Sequence, residues 1–553
     1  MIALMGELTD KPDWIRKLGD KSIIAKWRKE AMEMGLKRKG GFSEAMFDYC
    51  TRELKDYARY SGEFKFVPAI TASAIVFKSD ELLSESARQE LIAAVAPLED
   101  VPAPRKDWHP GSDEQVLDLV HPSLFPLQYG RSRILADGLV PLNDCVSYTG
   151  KGVIMPVPKD EDLLAAKEGA LISTPWGEDI GTQHGLYSRN FQWLPCDVSF
   201  QDNDSVRIKS YINNLHPQKH QDLYRVLETI IASAVPMWNA TIASTERDRP
   251  SNRIDTYNYE FESQRPEGWG EDEWLRSIGE YAREELDYTW AEENDIPFLP
   301  PEPRKYSARI GQNTDHSHPH MPLDLREHFR EDGLQIIVKL ANIHLTSEKP
   351  EYSGGSWHIE GQLNEHIVAT ALYYYDSDNV TDSHLAFREL TDFVGLEYQQ
   401  SRFRHIEEFY DIEEDGPKIQ ELGSVLTRQG RLLTFPNVLQ HRVQPFKLAD
   451  ASRPGHRKIV ALFLVDPHVR IPSTKNVPPQ QKEWWREMVL GLERVAALPA
   501  ELGEWTVNSA GDMPIDLEEA KELRANLMEE RKAFVQEVKG RYDNSGGFSF
   551  CEH

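Results

Sequence analysis

An α+β fold with a two-sheet jelly roll at its centre, flanked by largely helical N- and C-terminal regions, is what this sequence predicts. Three observations predict it. Between residues 333 and 470 the chain carries eight short apolar runs of strand length. Turn-type residues separate them, Gln429-Gly430 being the clearest hairpin signal. The stretches before and after show helical periodicity instead. Eight short strands suit two packed antiparallel sheets.

Four regions follow. Residues 1–100 read as mainly helical. Ser43 is placed to cap a helix bearing Met46, Phe47, Cys50, Leu54 and Tyr57, and Ser86-x-x-Gln89 reads as a capping box ahead of Leu91, Ile92 and Val95. Residues 101–332 form an α+β wrapping region: a proline-punctuated run over 101–130, a loop over 153–178, strands near 198–200 and 206–212, a helix from near Pro217 and another over 271–286. The core, 333–470, has strands at 335–340, 356–361, 367–375, 385–389, 424–427, 431–435, 441–446 and 457–465. Residues 471–553 return to helix, with Asp516-x-x-Glu519 capping a long amphipathic segment.

At 553 residues the chain is too long for one ordinary hydrophobic core and predicts two to four lobes. A net charge of −27 excludes a phosphate-tracking surface and so predicts no nucleic-acid partner. No stretch approaches an eighteen-residue apolar run, so no membrane span is expected, and residues 1–14 lack a secretory leader. Four scattered cysteines (50, 145, 196, 551) show no paired spacing and fit a reducing, cytoplasmic setting. The partner expected is a small molecule.

The chemistry lies in two segments. Gly354-Gly355-Ser356-Trp357-His358-Ile359-Glu360 gives His-x-Glu, and about eighty residues later His441-Arg442-Val443-Gln444-Pro445 is followed by Gly455-His456-Arg457 and an apolar run. Residues i and i+2 of a strand share a face, so His358 and Glu360 can converge on one ion. With His441 they supply two imidazoles and a carboxylate, one face of an octahedral iron(II), leaving positions open for a keto acid and dioxygen. Arg457, opening an apolar strand, offers a two-pronged donor for a distant carboxylate. His-x-acid alone is weak: composition gives about three matches by chance, and three occur, at His220-Asp222, His358-Glu360 and His405-Glu407. His220 opens a helical pattern, and His405 lies in an acidic run that reads as surface. Only His358 follows a Gly-Gly turn and has the later His and Arg in order.

At these residues the chain resembles the double-stranded β-helix dioxygenases that use iron(II) and 2-oxoglutarate, chiefly their prolyl-hydroxylase-like branch, with its His-x-Val-x-Pro, Gly-x-Arg and apolar strand. The segment between Lys447 and Pro454 is longer than usual there, and Glu360 stands where Asp is commoner. A longer resemblance is to a fungal family known as domain of unknown function 4246. It runs through His121 to Leu127, Phe191 to Cys196, Tyr211 to Pro217, Val338 to Leu345, Phe435 to His441 and Asn476 to Gln481. Some relatives look like tailoring oxygenases of fungal secondary metabolism. The resemblance implies an oxygenase with iron(II) and 2-oxoglutarate as cofactors, His358, Glu360 and His441 on the metal, and Arg457 on the keto acid. Its outcome would be hydroxylation, desaturation or oxidative ring closure. Two rivals stand beside it: a cupin-like metalloenzyme without keto acid, and a binding or scaffold protein with a degenerate barrel.

Other residues are weighed against blander roles. Lys339 and Asn342 precede the metal segment and are candidates to reach cofactor or substrate, though simple alternation on a half-buried strand explains them as well. The tract His316-Ser-His318-Pro-His320 lacks an acid partner. Trp484-Trp485 fits core packing better than a substrate platform. The runs His121 to Tyr129, Tyr211 to His216 and His316 to His320 are candidates to close the site.

Overall fold

The computed structural model describes residues 1–35, 41–136, 138–159, 187–245, 252–260, 298–307, 324–390, 397–399, 402–509 and 514–543. The His316–His320 tract, the expected helix at 271–286 and Cys551 lie outside them.

Alternation places the sheets. In the twelve-residue strand Leu334–Leu345, Leu334, Ile336, Val338 and Leu340 point to one side and Ile337 to the other. Gly455–Val465 and Ile367–Asp378 alternate likewise. Such two-faced strands are stable only when covered on both sides. They form the middle of a nine-stranded sheet in which every strand–strand pairing is antiparallel. Its path runs from Val67–Thr71 through Ile75–Ser79, Leu432–Pro436, Ile367–Asp378, Gly455–Val465 and Leu334–Leu345 to Cys196–Phe200 and Val206–Ile208, with Val116–Val120 paired to Leu334–Leu345. A second sheet has the order Ile419–Leu426, His384–Leu390, Gln440–Val443.

Side chains of both sheets share one apolar cluster, Leu372, Phe463 and Phe435 meeting Leu385, Phe387 and Val425. The other face of the large sheet is covered by helices, chiefly Gln221–Thr245 with Glu85–Glu99. Gln221–Thr245 is long and apolar enough to cross a membrane by length and composition, against expectation, but 56% of its most apolar window is buried in the fold. Trp238, fully buried on it, is part of that core.

Ser43 caps Glu44–Phe64 as expected, accepting the Met46 N–H at 3.1 Å, and Asp516 accepts the Glu519 N–H at 3.0 Å. Three expectations are corrected. The cap of Glu85–Glu99 is Ser84, not Ser86: Ser84 Oγ accepts from Ala87 N–H, and Ser86 turns to Glu90. The helix expected near Pro217 begins at Gln221. Gln429-Gly430 is a turn but not a hairpin, because Ile419–Leu426 and Leu432–Pro436 belong to different sheets and the chain crosses between them there. The regions ahead of the core also do more than flank it. The strands over 67–79 and Val116–Val120 extend the central sheet.

Candidate metal centre

His358 and His441 meet across a single antiparallel bridge. His358 N–H donates to His441 O at 3.2 Å and His441 N–H to His358 O at 3.0 Å. The strand expected at 356–361 is corrected: the segment makes only this one bridge. Gly354, at φ +91°, lets it approach so closely: a Cβ there would sit 2.7 Å from Val443 O. Asn437 fixes the other end, accepting the Glu360 N–H and donating to Glu360 O, both at 2.9 Å.

The three expected side chains converge. Their nearest donor atoms all lie within 4.8 Å of one another. Glu360 Oε1 is 3.3 Å from His441 Nε2 and 3.8 Å from His358 Nε2. Metal bonds of about 2.0–2.2 Å at right angles separate neighbouring ligands by roughly 2.8–3.1 Å, so small rotations would close the set. His358 Nδ1 lies 2.9 Å from Ser356 O. A carbonyl only accepts, so the proton sits on Nδ1 and the Nε2 lone pair faces Glu360. His441 is 3% exposed, its ring against Phe435 and Phe387 and its Nδ1 without a partner.

Charge states suit a cation. Burial, reinforced by His441, brings His358 down to about 4. Burial would raise Glu360, but the His441 hydrogen bond and the charges of His358, His441 and Lys339 outweigh it and hold it at about 2. Between pH 6.5 and 4 the unfolded chain binds a proton at position 358 that the metal-free folded protein does not, so stability falls as pH drops through that window. A His358→Gln variant should flatten that slope of the urea midpoint against pH; an unchanged slope would remove His358 as its source.

Arg457 lies on the face shared with Ala461, Phe463 and Val465, between the sheets. It is 2% exposed, and among the described residues it has no acidic partner. Its Nη1 donates to Ser383 Oγ at 2.8 Å, its Nε is unpartnered, and its guanidinium lies over the Tyr374 and Phe446 rings at 4.9 and 5.4 Å. Tyr374 OH is likewise buried without a partner. Burial pushes the Arg457 pKa down, opposed by Tyr374 and Tyr352. A buried cation with open donors calls for an anion.

The remaining candidates separate. Lys339 shares the inward face with Ile337 and its charge bears on both His358 and Glu360. Asn342 is corrected: it stands on the other face, bonded to Glu99 and Tyr375 on the helical side, because even-numbered positions of its strand point there. His405-Glu407 lies on helix Arg404–Tyr410, where i and i+2 diverge, and His405 is buried on Thr256 O rather than exposed. His456, beside Arg457 but on the opposite face of the strand, pairs with Asp376. Trp484 packs against Tyr211 and His216. Of the candidate closing segments, 121–125 contributes Phe125 to the apolar cluster between the sheets, and Asn213 and Asn214 brace that turn by donating to the carbonyls of His121, Leu124 and Phe125.

Sequence reasoning missed the part played by helix Leu517–Asp543. Phe534 and Val538 pack on Ile359 and Leu363, beside the metal residues. Arg531 lies 3.7 Å over the Trp193 ring and donates to Glu365 at 2.6 Å. Amphipathic spacing foretold the helix but not what it covers.

Fold and site together define a mixed helix-and-strand protein of antiparallel sheets bearing a two-histidine, one-carboxylate cluster. The chain belongs to the family described as protein of unknown function (DUF4246), whose model matches residues 44–488, and the model of that family's N-terminal domain matches residues 1–30. Comparison with curated proteins gives no match. Among solved structures, the chain is similar in part to a selenomethionine-labelled Fe(II)/(alpha)ketoglutarate-dependent dioxygenase, TqaL (TM-score 0.16, 13% identity, 24% of this chain and 43% of that one). It is similar to IDO from Bacillus thuringiensis (0.16, 12%, 26% and 53%) and to a bsmA homolog from Methylobium petroleophilum PM1 (0.16, 12%, 26% and 46%). The chain thus spans about half the length of these proteins, and likenesses so partial carry neither fold nor function to it.

Proposed function

We propose that this chain is an iron(II)- and 2-oxoglutarate-dependent oxygenase acting on a small or medium-sized molecule, with a double-stranded β-helix as its core. The observation that carries the proposal is the convergence of His358, Glu360 and His441 in one interior that also holds an unpaired, buried Arg457. Strand order supports the core. Taken along the chain from Leu334, the first, third, sixth and eighth runs lie in the large sheet, and the fourth, fifth and seventh in the small one, with His358 bridged to its edge. That alternation is what winding a hairpin pair into a jelly roll produces.

The residues fit both groups. His358, Glu360 and His441 would hold iron(II), two neutral nitrogens and one ionised oxygen leaving a face open. Arg457, with Ser383 and Tyr374 beside it, would hold the far carboxylate of 2-oxoglutarate. When bound, these groups supply the oxidising chemistry. The chain's own residues position and shield. Ser356 orients His358, Asn437 orients Glu360, Phe387 and Phe435 exclude water behind His441, and helix Leu517–Asp543 walls the side at Ile359. A cupin-like enzyme without keto acid would have no use for the open donors of Arg457, which is why that rival ranks second.

The test is anaerobic titration of the metal-free protein with iron(II) and then 2-oxoglutarate. A weak visible charge-transfer band should appear only with both. Iron binding without any band on adding keto acid would favour the second reading, and no iron binding would sink both.

A further inference from the structure

A second cluster of ligand-type side chains lies apart from the one just described. The turn at 110–115 folds Asp107 to His109 back against Val116–Val120: His109 N–H donates to Val116 O at 2.8 Å and Asp118 N–H to Asp107 O at 2.9 Å. This sets His109 beside Asp118. The pairing of Val116–Val120 with Leu334–Leu345 then slips by one residue, Val120 facing Leu340 but Asp118 facing Ala341. The bulge leaves Val120 on the helical side and turns Asp118 to the inward face. His121 follows where the strand ends.

We propose that His109, Asp118 and His121 form a second binding site for a divalent first-row metal cation. Their donor atoms lie within 4.8 Å of one another. His109 Nδ1 is 2.8 Å from Asp118 Oδ2, and the two imidazole rings are 5.2 Å apart. Asp118 and His121 are each 5% exposed, and Asp118 Oδ1 is buried without any hydrogen-bond partner. A buried carboxylate oxygen left bare is costly, and a cation would satisfy it. Two nitrogens and one oxygen suit zinc, iron(II) or cobalt(II) better than calcium or magnesium. His109 is the most exposed of the three and marks the approach.

The surroundings set the strength. Arg524 lies 3.7 Å from Asp118 Oδ2, but its guanidinium is committed to Asp107, with bonds of 2.7 and 2.8 Å. Lys339 also bears on Asp118 and His121. His121 Nδ1 accepts a long contact, 3.2 Å, from Ser123 N–H. Neighbouring cations oppose a third, so this site is the weaker of the two. The proposal does not rest on the oxygenase reading.

The test is metal stoichiometry on the full chain. Metal-free protein is titrated with cobalt(II), read by its visible absorption and by elemental analysis after gel filtration. The parent should take up two equivalents. His358→Ala/His441→Ala should keep one, and Asp118→Asn should lose the weaker one. Because Asp118 is buried and its loss could harm folding, His109→Ala at the half-exposed rim is the companion variant, accepted when its thermal midpoint without metal matches the parent's. Equal cobalt uptake in the parent and His109→Ala overturns the proposal, as does loss of all cobalt in the His358/His441 variant. A parent that binds one equivalent, lost in His109→Ala and kept in His358→Ala/His441→Ala, would support this site and defeat the other.

Discussion

Arg457→Met is expected to weaken 2-oxoglutarate binding by roughly 2–5 kcal/mol, some thirty-fold to several-thousand-fold, while iron(II) affinity stays within a few-fold of the parent. The same change should make the protein without ligands more stable, by about 1–4 kcal/mol, because an uncompensated buried charge is replaced by an apolar chain of similar length. The two effects have opposite signs and one cause. Arg457 keeps one contact to Ser383 and lies between two aromatic rings, with Nε open. On the proposed reading, its cost in the free protein is recovered when an anion arrives. In the parent, added 2-oxoglutarate should therefore raise the thermal midpoint, and in the variant it should not. Anaerobic titration gives the affinities and urea unfolding the stabilities. A variant that binds the keto acid like the parent, or that is destabilised without it, would show that Arg457 serves the fold rather than a ligand.

The second large effect concerns Glu360. Glu360→Ala should lower affinity at this centre by more than about 100-fold, since losing even an outer partner of a ligand costs about 10–100-fold. Glu360→Asp should recover part of the loss. Glu360 Oε1 stands between both imidazoles, and its backbone is clamped by Asn437, so a shorter side chain starts from the same place but falls one methylene short. Competition against a chromophoric chelator measures this. Equal affinity for Ala and Asp would mean the carboxylate does not touch the metal.

Much of this was legible because it rested on periodicities of two. Parity alone put His358 with Glu360, and Arg457 with Ala461 and Phe463, and the apolar runs marked strands that the fold contains, except at 356–361, which makes a single bridge. Asn342 shows the limit: its strand runs on past the expected end at 340, and the even parity of position 342 then puts it on the helical side. The turn at 429–430 shows another. Its residues announce a reversal of the chain, but whether the flanking strands pair is decided by which sheet each joins, a tertiary matter. The cluster at His109, Asp118 and His121 was out of reach for the same reason, since Asp118 faces inward only through a bulge that no local signal marks. Nor could spacing reveal what lay beneath Phe534 and Arg531, because an amphipathic stripe tells that a helix is covered and not by what.

The central sheet also bears on how this chain reaches its native state. Among the described residues, the hairpin over 67–79 pairs with the rest of the sheet through Leu432–Pro436, and Val116–Val120 through Leu334–Leu345. During synthesis the early strands therefore emerge long before their partners exist, with apolar residues such as Ile70, Val76 and Phe77 uncovered. Pairings so distant along the chain are slow to form, because loop closure precedes any gain from contact. Nascent chains stopped before residue 430 should be captured by chaperones and digested rapidly by protease, and resistance should appear only once Gly455–Val465, the strand between Ile367–Asp378 and Leu334–Leu345, has cleared the ribosome.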